Sequence, residues 1–109
     1  MAKFEKSLSG NFNSWLDRIE NGILSGSISA TLEETTDFCQ GDARCAVRAF
    51  ERYSYAGGNR VSLTVTLFQN GNSPIYLSAI STGGSQGVFF KFNTWGEETF
   101  LDKLRELVE

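Results

Sequence analysis

Apolar residues follow a helical spacing near both ends of the chain and alternate with polar residues in between. An early stripe at intervals of three and four residues comprises Phe12, Trp15, Leu16, Ile19 and Ile23. This spacing places the five side chains on one face of a helix of about three turns. Asn11 or Asn13 can cap the start of that helix, and Gly22 and Gly26 mark its end.

A second stripe predicts a helix at the end of the chain. Its buried side chains would be Phe100, Leu101, Leu104, Leu107 and Val108. Thr94 and Glu97 precede the stripe with Thr-x-x-Glu spacing, in which each side chain accepts a hydrogen bond from the other residue's backbone amide.

Alternation of apolar and polar residues predicts β-strands, because successive side chains of a strand point to opposite faces. A short strand over residues 3–9 would place Phe4, Lys6 and Leu8 on one face. Further strands are predicted around Ile28–Leu32, Arg44–Tyr55, Val61–Leu67, Ile75–Thr82 and Val88–Phe92, with an acidic loop from Thr36 to Asp42.

Glycine and asparagine residues between these strands predict hairpins. Apolar odd positions on both sides of a turn share a face only if the loop has an odd residue count. That condition favours the loops Gly57-Gly58-Asn59 and Asn70-Gly71-Asn72. A two-residue Gly57-Gly58 turn would set Arg52 opposite Leu63 and mix the faces, so we expect the odd positions of the 44–55 strand to face the core.

Consecutive hairpins imply an antiparallel sheet. We expect one α+β domain over residues 1–109, a two-layer sandwich of about five or six strands with two helices on one face. The element order is β-α-β-β-β-β-β-α. A sheet that curls around the last helix would form a helix-grip fold, and a TBP-like arrangement fits the same order.

The chain has 109 residues, no histidine and two cysteines. Histidine is the usual general base near neutral pH and the commonest metal ligand, so Ser-His and Cys-His nucleophile pairs and most zinc sites are excluded. The net charge of −3 argues against nucleic-acid binding, which usually needs a basic surface. No apolar run is long enough to cross a membrane, and the charged start of the chain lacks the apolar stretch of a signal peptide. We therefore expect a cytoplasmic protein without a cofactor.

Several segments are similar to a known group of sequences, namely Phe4–Gly10 (FEKSLSG), Glu51–Leu67 (ERYSYAGGNRVSLTVTL), Gly83–Gln86 (GGSQ) and Val88–Lys91 (VFFK). In these segments the chain resembles a family of short, uncharacterised proteins from Gram-positive bacteria of the Firmicutes type. The resemblance spans essentially the whole chain. It implies a bacterial, intracellular, stand-alone domain of unknown function, and it implies no activity, ligand or catalytic residue.

Arg44, Arg48 and Arg52 share one strand face because their spacing is even. On a face open to solvent they would form a site for a small anion or an acidic partner. The alternative, favoured by the excess of acidic residues, is a row of solvated arginines paired with Glu33 or Glu34 on a neighbouring strand.

The same outer face is expected to be rich in small hydroxyl side chains, from Ser27, Ser29, Thr31, Ser62, Thr64, Thr66 and Ser78. Small hydroxyl residues are typical of a sheet face that water covers. Four aromatic residues would project among them, namely Phe50, Phe68, Tyr76 and Phe89. Four large aromatics on a wet face indicate an interface or a ligand-binding concavity.

The remaining chemical groups carry no catalytic or metal-binding prediction. The segment Gly83–Gly87 lacks the lysine of a phosphate loop and is interpreted as a hairpin loop. Cys39 and Cys45 match no common metal motif, and we expect reduced thiols, with Cys45 a small core residue and Cys39 in a loop. The carboxylate pairs at 33–34 and 97–98 do not have the arrangement of a glycosidase pair.

These observations lead to a binding or self-associating module that is not an enzyme and pairs as a homodimer through its outer sheet face. The alternative is a helix-grip-type small-molecule-binding protein or enzyme. Its pocket, under the last helix, would be lined by Arg48, Glu51, Arg52, Tyr53 and Tyr76. A third hypothesis, nucleic-acid binding through the arginine row, predicts salt-sensitive retention on heparin.

Overall fold

Five strands form one antiparallel sheet in a computed structural model that describes residues 2–27, 29–53, 60–83 and 100–108. The elements are β1 (Ala2–Leu8), α1 (Phe12–Ser25), β2 (Thr31–Gln40), β3 (Ala43–Tyr53), β4 (Arg60–Asn70) and β5 (Ile75–Gly83), followed by a second helix, α2, over residues 100–108. The strands lie side by side in the order β1-β5-β4-β3-β2. The α+β class, with an antiparallel sheet and two helices, is confirmed, and the predicted strand Val88–Phe92 lies outside the described residues.

The first helix begins and ends where its sequence predicts. Asn11 caps it, because the side-chain oxygen of Asn11 accepts a hydrogen bond from the backbone amide of Ser14 at 2.9 Å. Gly26 closes it by donating its amide to the carbonyl of Gly22 at 3.0 Å. The same Gly22 lets α2 come close, since a methyl group there would overlap the side chain of Leu107. The two helices therefore lie side by side as one layer.

One face of the sheet is covered by this helical layer. We call it the covered face, and its buried core residues include Ala46, Phe50, Val61, Leu63, Val65, Leu67, Ile75, Leu77 and Ala79. They form one cluster with the apolar stripes of α1 and α2, which include Ile19, Ile23, Phe100 and Leu104. Burial of these side chains is the main favourable term for the fold.

The two predicted hairpin registers have different outcomes. Leu67 pairs with Leu77 across β4 and β5, so odd positions share a face there, as predicted. Arg48 pairs with Val65 across β3 and β4, so even positions of β3 lie beside odd positions of β4. The prediction of an odd loop was wrong for this hairpin, because Tyr53 pairs with Arg60 and six residues, 54–59, connect them.

Strand β2 replaces the acidic loop that was predicted from Thr36 to Asp42. It continues to Gln40, and the chain turns only at Gly41, whose positive φ of 59° suits glycine. The strand lies at the sheet edge, has a register shift between Leu32 and Glu34, and exposes every residue except Leu32. Bulges and charges of this kind protect an edge from pairing with other chains.

Candidate functional site

The second face of the sheet is covered by neither described helix, and we call it the open face. Its residues are the even positions of β4 and β5 and the odd positions of β1 and β3, with Phe38, Thr36 and Glu34 of β2. The exposed large apolar side chains of the described residues include Phe38, Tyr53, Phe68, Tyr76 and Ile80, and all five belong to this face. An apolar group of this size on one surface is typical of an interaction site.

Three aromatic side chains of the open face lie in one row across the sheet. Strand pairing aligns Phe38 with Cys45, Cys45 with Phe68, and Phe68 with Tyr76. The exposed fraction is 59% for Phe38, 40% for Phe68 and 55% for Tyr76. Cys45 is the small residue of the row, so the two phenylalanines flank a low point in the surface.

That low point is a shallow hollow of about 100 Å³ lined by Phe38, Gln40, Ala43, Arg44, Cys45 and Phe68. Pockets that bind drug-sized molecules usually have volumes of about 300–1,000 Å³ and enclose most of the ligand. The hollow therefore has the size of a single side chain or ring and is smaller than a pocket for a drug-sized molecule.

The centre of the open face is formed by small side chains. Val47, Ala49, Thr64, Thr66 and Ser78 are all half-buried and lie on neighbouring strands. Near one end of the sheet, the hydroxyl oxygens of Ser62 and Thr82 are 2.6 Å apart and share a hydrogen bond. The centre is therefore low and nearly flat, with the aromatic row at one end.

Charges on the open face largely neutralise each other. The guanidinium of Arg60 lies 3.1 Å from the carboxylate of Glu51 and 3.7 Å from that of Glu33. At the β1 edge, Lys3 pairs with Glu5 at 3.7 Å. Exposed pairs of this kind contribute little to stability. With Glu5, Glu33, Glu34 and Glu51 against Lys3 and Arg60, the face keeps a small net negative charge, so it offers no attraction to a strongly acidic partner.

The arginine row has a different position from the predicted one. Arg44, Arg48 and Arg52 do share one face of β3, but it is the covered face, and Arg48 and Arg52 expose only 7% and 4% of their surface. The predicted placement of these residues on the open face was wrong, because the β3–β4 register turns them towards the helices. Their long apolar stems let arginines occupy such positions while the guanidinium finds a polar or aromatic partner.

Arg48 connects three elements through its guanidinium. Its Nε donates to Glu20 of α1, and its Nη1 donates to Asp37 of β2 at 3.1 Å and to the carbonyl of Val47 at 3.0 Å. Burial alone would lower the pKa of Arg48, but the hydrogen bonds with both carboxylates outweigh burial and raise the pKa. Arg48 is therefore charged at every physiological pH and ties α1 to the sheet.

Arg44 and Arg52 contact the helices through aromatic rings. The guanidinium carbon of Arg44 lies 4.0 Å from the ring centre of Phe12, and its Nη2 donates to Asn13 at 2.8 Å. The guanidinium carbon of Arg52 lies 4.5 Å from the ring centre of Phe100 in α2. These are cation–π distances. The row therefore attaches both helices to β3.

The aromatic residues predicted for the outer face are also divided between the two faces of the sheet. Phe68 and Tyr76 project from the open face, whereas Phe50 is fully buried on the covered face, so its predicted exposure was wrong. Phe89 lies outside the described residues. The pocket predicted for the helix-grip alternative is also divided, because Tyr53, Tyr76 and Glu51 lie on the open face and Arg48 and Arg52 on the covered face. These five side chains do not line one cavity.

The two cysteines are free thiols on opposite faces of the sheet. Cys45 lies on the open face of β3, half-buried, rather than in the core. Cys39 pairs with Arg44, on the covered side of strand β2, and is exposed there rather than in a loop. Burial raises the pKa of the Cys45 thiol, and the negative charge of Asp37 adds to this effect. Among the described residues, no three Cys, Asp or Glu side chains are close enough to hold a metal ion.

Sequence reasoning missed Phe38 and Ile80, and both contribute to the open face. Phe38 was assigned to an acidic loop, and Ile80 follows Ala79 in a strand whose odd positions are apolar. A signal was present in β3, since Phe50, its largest apolar residue, shares the even positions with the arginines. Placing Phe50 in the core would have placed the arginines there as well.

In the described residues, the chain is an α+β sandwich in which the helices cover one face of the sheet and exposed aromatic side chains occupy the other. In the described parts of the chain, no helix has the length and apolar character needed to span a membrane. The whole chain, residues 1–109, matches the family described as "Family of unknown function (DUF6054)", and the protein belongs to that family. No curated protein and no solved structure matches the chain.

Proposed function

We propose that the protein is a self-associating domain that forms a homodimer through the open face of its sheet. The observation that carries this proposal is the group of five exposed large apolar side chains, Phe38, Tyr53, Phe68, Tyr76 and Ile80, on the one sheet face that neither described helix covers. Sheets with one apolar face commonly pack face to face with a second sheet.

The area of the open face is sufficient for a stable dimer. Five strands spaced about 4.8 Å apart, with about nine residues rising about 3.3 Å each, give a face of about 700 Å². Stable protein–protein interfaces of standard size bury about 600–1,000 Å² per partner. A second copy can therefore bury enough surface without any contribution from the helices.

The charge distribution favours a second copy over a charged partner. Arg60 with Glu51, and Lys3 with Glu5, are oppositely charged pairs within the face itself. Two copies of a face with a small net charge repel each other only weakly, whereas a strongly acidic macromolecule would find no matching surface. The arginines that would attract an anion are on the covered face.

The test is the molar mass in solution, measured by size-exclusion chromatography with light scattering over a range of concentrations. We expect a dimer at high micromolar concentration. Phe68→Glu should shift the protein to monomer, because a charge in the middle of the aromatic row would be buried in the interface without a partner. Leu24→Glu is the matched control, since Leu24 on α1 is 37% exposed and Phe68 is 40% exposed. A monomeric wild-type protein at every concentration, or equal dissociation by both variants, would refute the proposal.

A further inference from the structure

Strand pairing fixes which residues of the open face share a row across the sheet, and three of these rows run through all five strands. From β2 to β1, the first row is Phe38, Cys45, Phe68, Tyr76 and Ser7. The second row is Thr36, Val47, Thr66, Ser78 and Glu5, and the third is Glu34, Ala49, Thr64, Ile80 and Lys3. Strand β4 is the middle strand, so each row has its centre at Phe68, Thr66 or Thr64.

Side-chain sizes on the two sides of β4 are complementary. In the first row, the small Cys45 and the bulky Tyr76 lie one strand away from the centre on opposite sides. In the third row, the small Ala49 and the bulky Ile80 have the same relation. At the outer strands, Phe38 is opposite Ser7, and the acidic Glu34 is opposite the basic Lys3.

We propose that two copies of this chain pack their open faces together about a two-fold axis that runs along β4, with Tyr76 of each copy inserted into the hollow over Cys45 of the other. This inference rests on the proposed dimer and specifies its geometry. A two-fold axis in this position exchanges β3 with β5 and β2 with β1, so each small side chain of β3 faces a bulky side chain of β5. The hollow of about 100 Å³ between Phe38 and Phe68 is the place that receives the ring.

The alternative axis, across the strands at the second row, fits poorly. Each strand would then face its own copy, with Tyr76 over Ile80 and Glu5 over Glu5. Bulky residues would meet bulky residues, which is destabilising. Like charges do not distinguish the two axes, because an axis along β4 places Arg60 opposite Arg60 of the second copy. Along β4, the rings of Phe68 meet at the axis itself, where aromatic pairs can stack with an offset.

Crosslinking tests the position of the axis. In a Cys39→Ser, Cys45→Ser background, a single cysteine is introduced by Thr66→Cys or by Ser78→Cys, and each protein is treated with a short bismaleimide. Thr66 lies on the proposed axis and faces its own copy, so Thr66→Cys should form a covalent dimer. Ser78 lies one strand from the axis, so two copies of residue 78 are about 10 Å apart along the sheet and should link at least about tenfold more slowly.

A mixture provides the matched control. Val47 is proposed to face Ser78 of the second copy, so Val47→Cys and Ser78→Cys proteins should crosslink rapidly when mixed and slowly when each is alone. Light scattering on the Cys39→Ser, Cys45→Ser protein first tests whether a dimer forms at all, since a monomer refutes the proposed function. A dimer in which Ser78→Cys links to itself as fast as Thr66→Cys refutes the axis and leaves the dimer standing.

A size exchange tests the same geometry without crosslinkers. Ala49→Leu should weaken the dimer by at least about tenfold, because the added atoms collide with Ile80 of the second copy. Combining Ala49→Leu with Ile80→Ala exchanges the large and small partners and should restore most of the affinity, as measured by sedimentation equilibrium. Circular dichroism checks that each variant is folded. If the double variant loses as much binding free energy as Ala49→Leu and Ile80→Ala lose separately when added together, the proposed packing is wrong.

Discussion

Phe50 and Phe68 lie on adjacent strands, and Arg48 and Arg60 lie on the same two strands, yet each pair is divided between the two faces of the sheet. On the covered face, Phe50 is fully buried and Arg48 holds two carboxylates beneath α1. On the open face, Phe68 and Arg60 are exposed. Residue type therefore does not decide which face is the core. The helices decide it, because they supply both the apolar contacts and the partners of the buried charges.

The largest expected difference in stability is between substitutions of Phe50 and of Phe68. Phe50→Ala should lower the free energy of unfolding by about 3–5 kcal/mol, because it leaves a cavity in a closely packed core. Phe68→Ala should lower it by less than about 1 kcal/mol in the monomer, since the ring is partly in water. Urea denaturation measures both values, at a protein concentration too low for the dimer to form. Equal losses would mean that the open face is part of a core.

The arginines provide the second comparison. Arg48→Ala should lower the free energy of unfolding by about 2–3 kcal/mol, below the roughly 3–5 kcal/mol of a fully buried ion pair, because Glu20 and Asp37 keep some contact with water. Arg48→Met, which keeps the apolar stem but still removes the charge, should recover part of that loss.

Arg60→Ala is the control on the open face, and we expect it to cost less than about 1 kcal/mol because its ion pairs are exposed. The same urea titrations measure all three variants. If Arg48→Ala were as mild as Arg60→Ala, the contacts with Glu20 and Asp37 would not stabilise the attachment of α1 to the sheet.

The sequence predicts one hairpin register and not the other for a physical reason. In β4 and β5, apolar residues occupy odd positions and polar residues most even ones, so the amphipathic pattern determines which sides face the core. In β3, the even and the odd positions each contain both polar and apolar residues. The odd positions hold cysteine, valine, alanine, glutamate and tyrosine, and the even positions hold Arg44, Ala46, Arg48, Phe50 and Arg52. Hydrophobicity alone favours the odd set.

The correct choice depends on tertiary partners that no local pattern reveals. Glu20 lies beside the apolar stripe of α1 and accepts a hydrogen bond from Arg48, and Phe12 and Phe100 lie under the guanidinium groups of Arg44 and Arg52. These contacts replace the hydration that the arginines lose on burial. The helices, the antiparallel sheet and the bare face could be predicted. The β4 and β5 residues of that face could also be predicted, whereas those of β3 could not, because their assignment followed from the β3–β4 register.

The two thiols give the smallest and most local comparison. Burial raises the pKa of Cys45, so a smaller fraction of this thiol is the reactive thiolate at neutral pH. Cys39 is exposed at the sheet edge. Iodoacetamide should therefore modify Cys39 first, with Cys45 slower by about tenfold, as quantified by mass spectrometry of the peptides. Raising the pH should narrow the difference, because Cys45 then ionises.

Protein concentration separates the effect of burial in the monomer from the effect of a second copy. If Tyr76 of the partner lies over Cys45, the modification rate of Cys45 should fall as the concentration passes through the dimer range, while that of Cys39 stays constant. In the Phe68→Glu variant, which should be monomeric, the rate at Cys45 should not depend on concentration. A rate at Cys45 that is constant in the wild-type protein while light scattering reports dimer would mean that the dimer uses another surface.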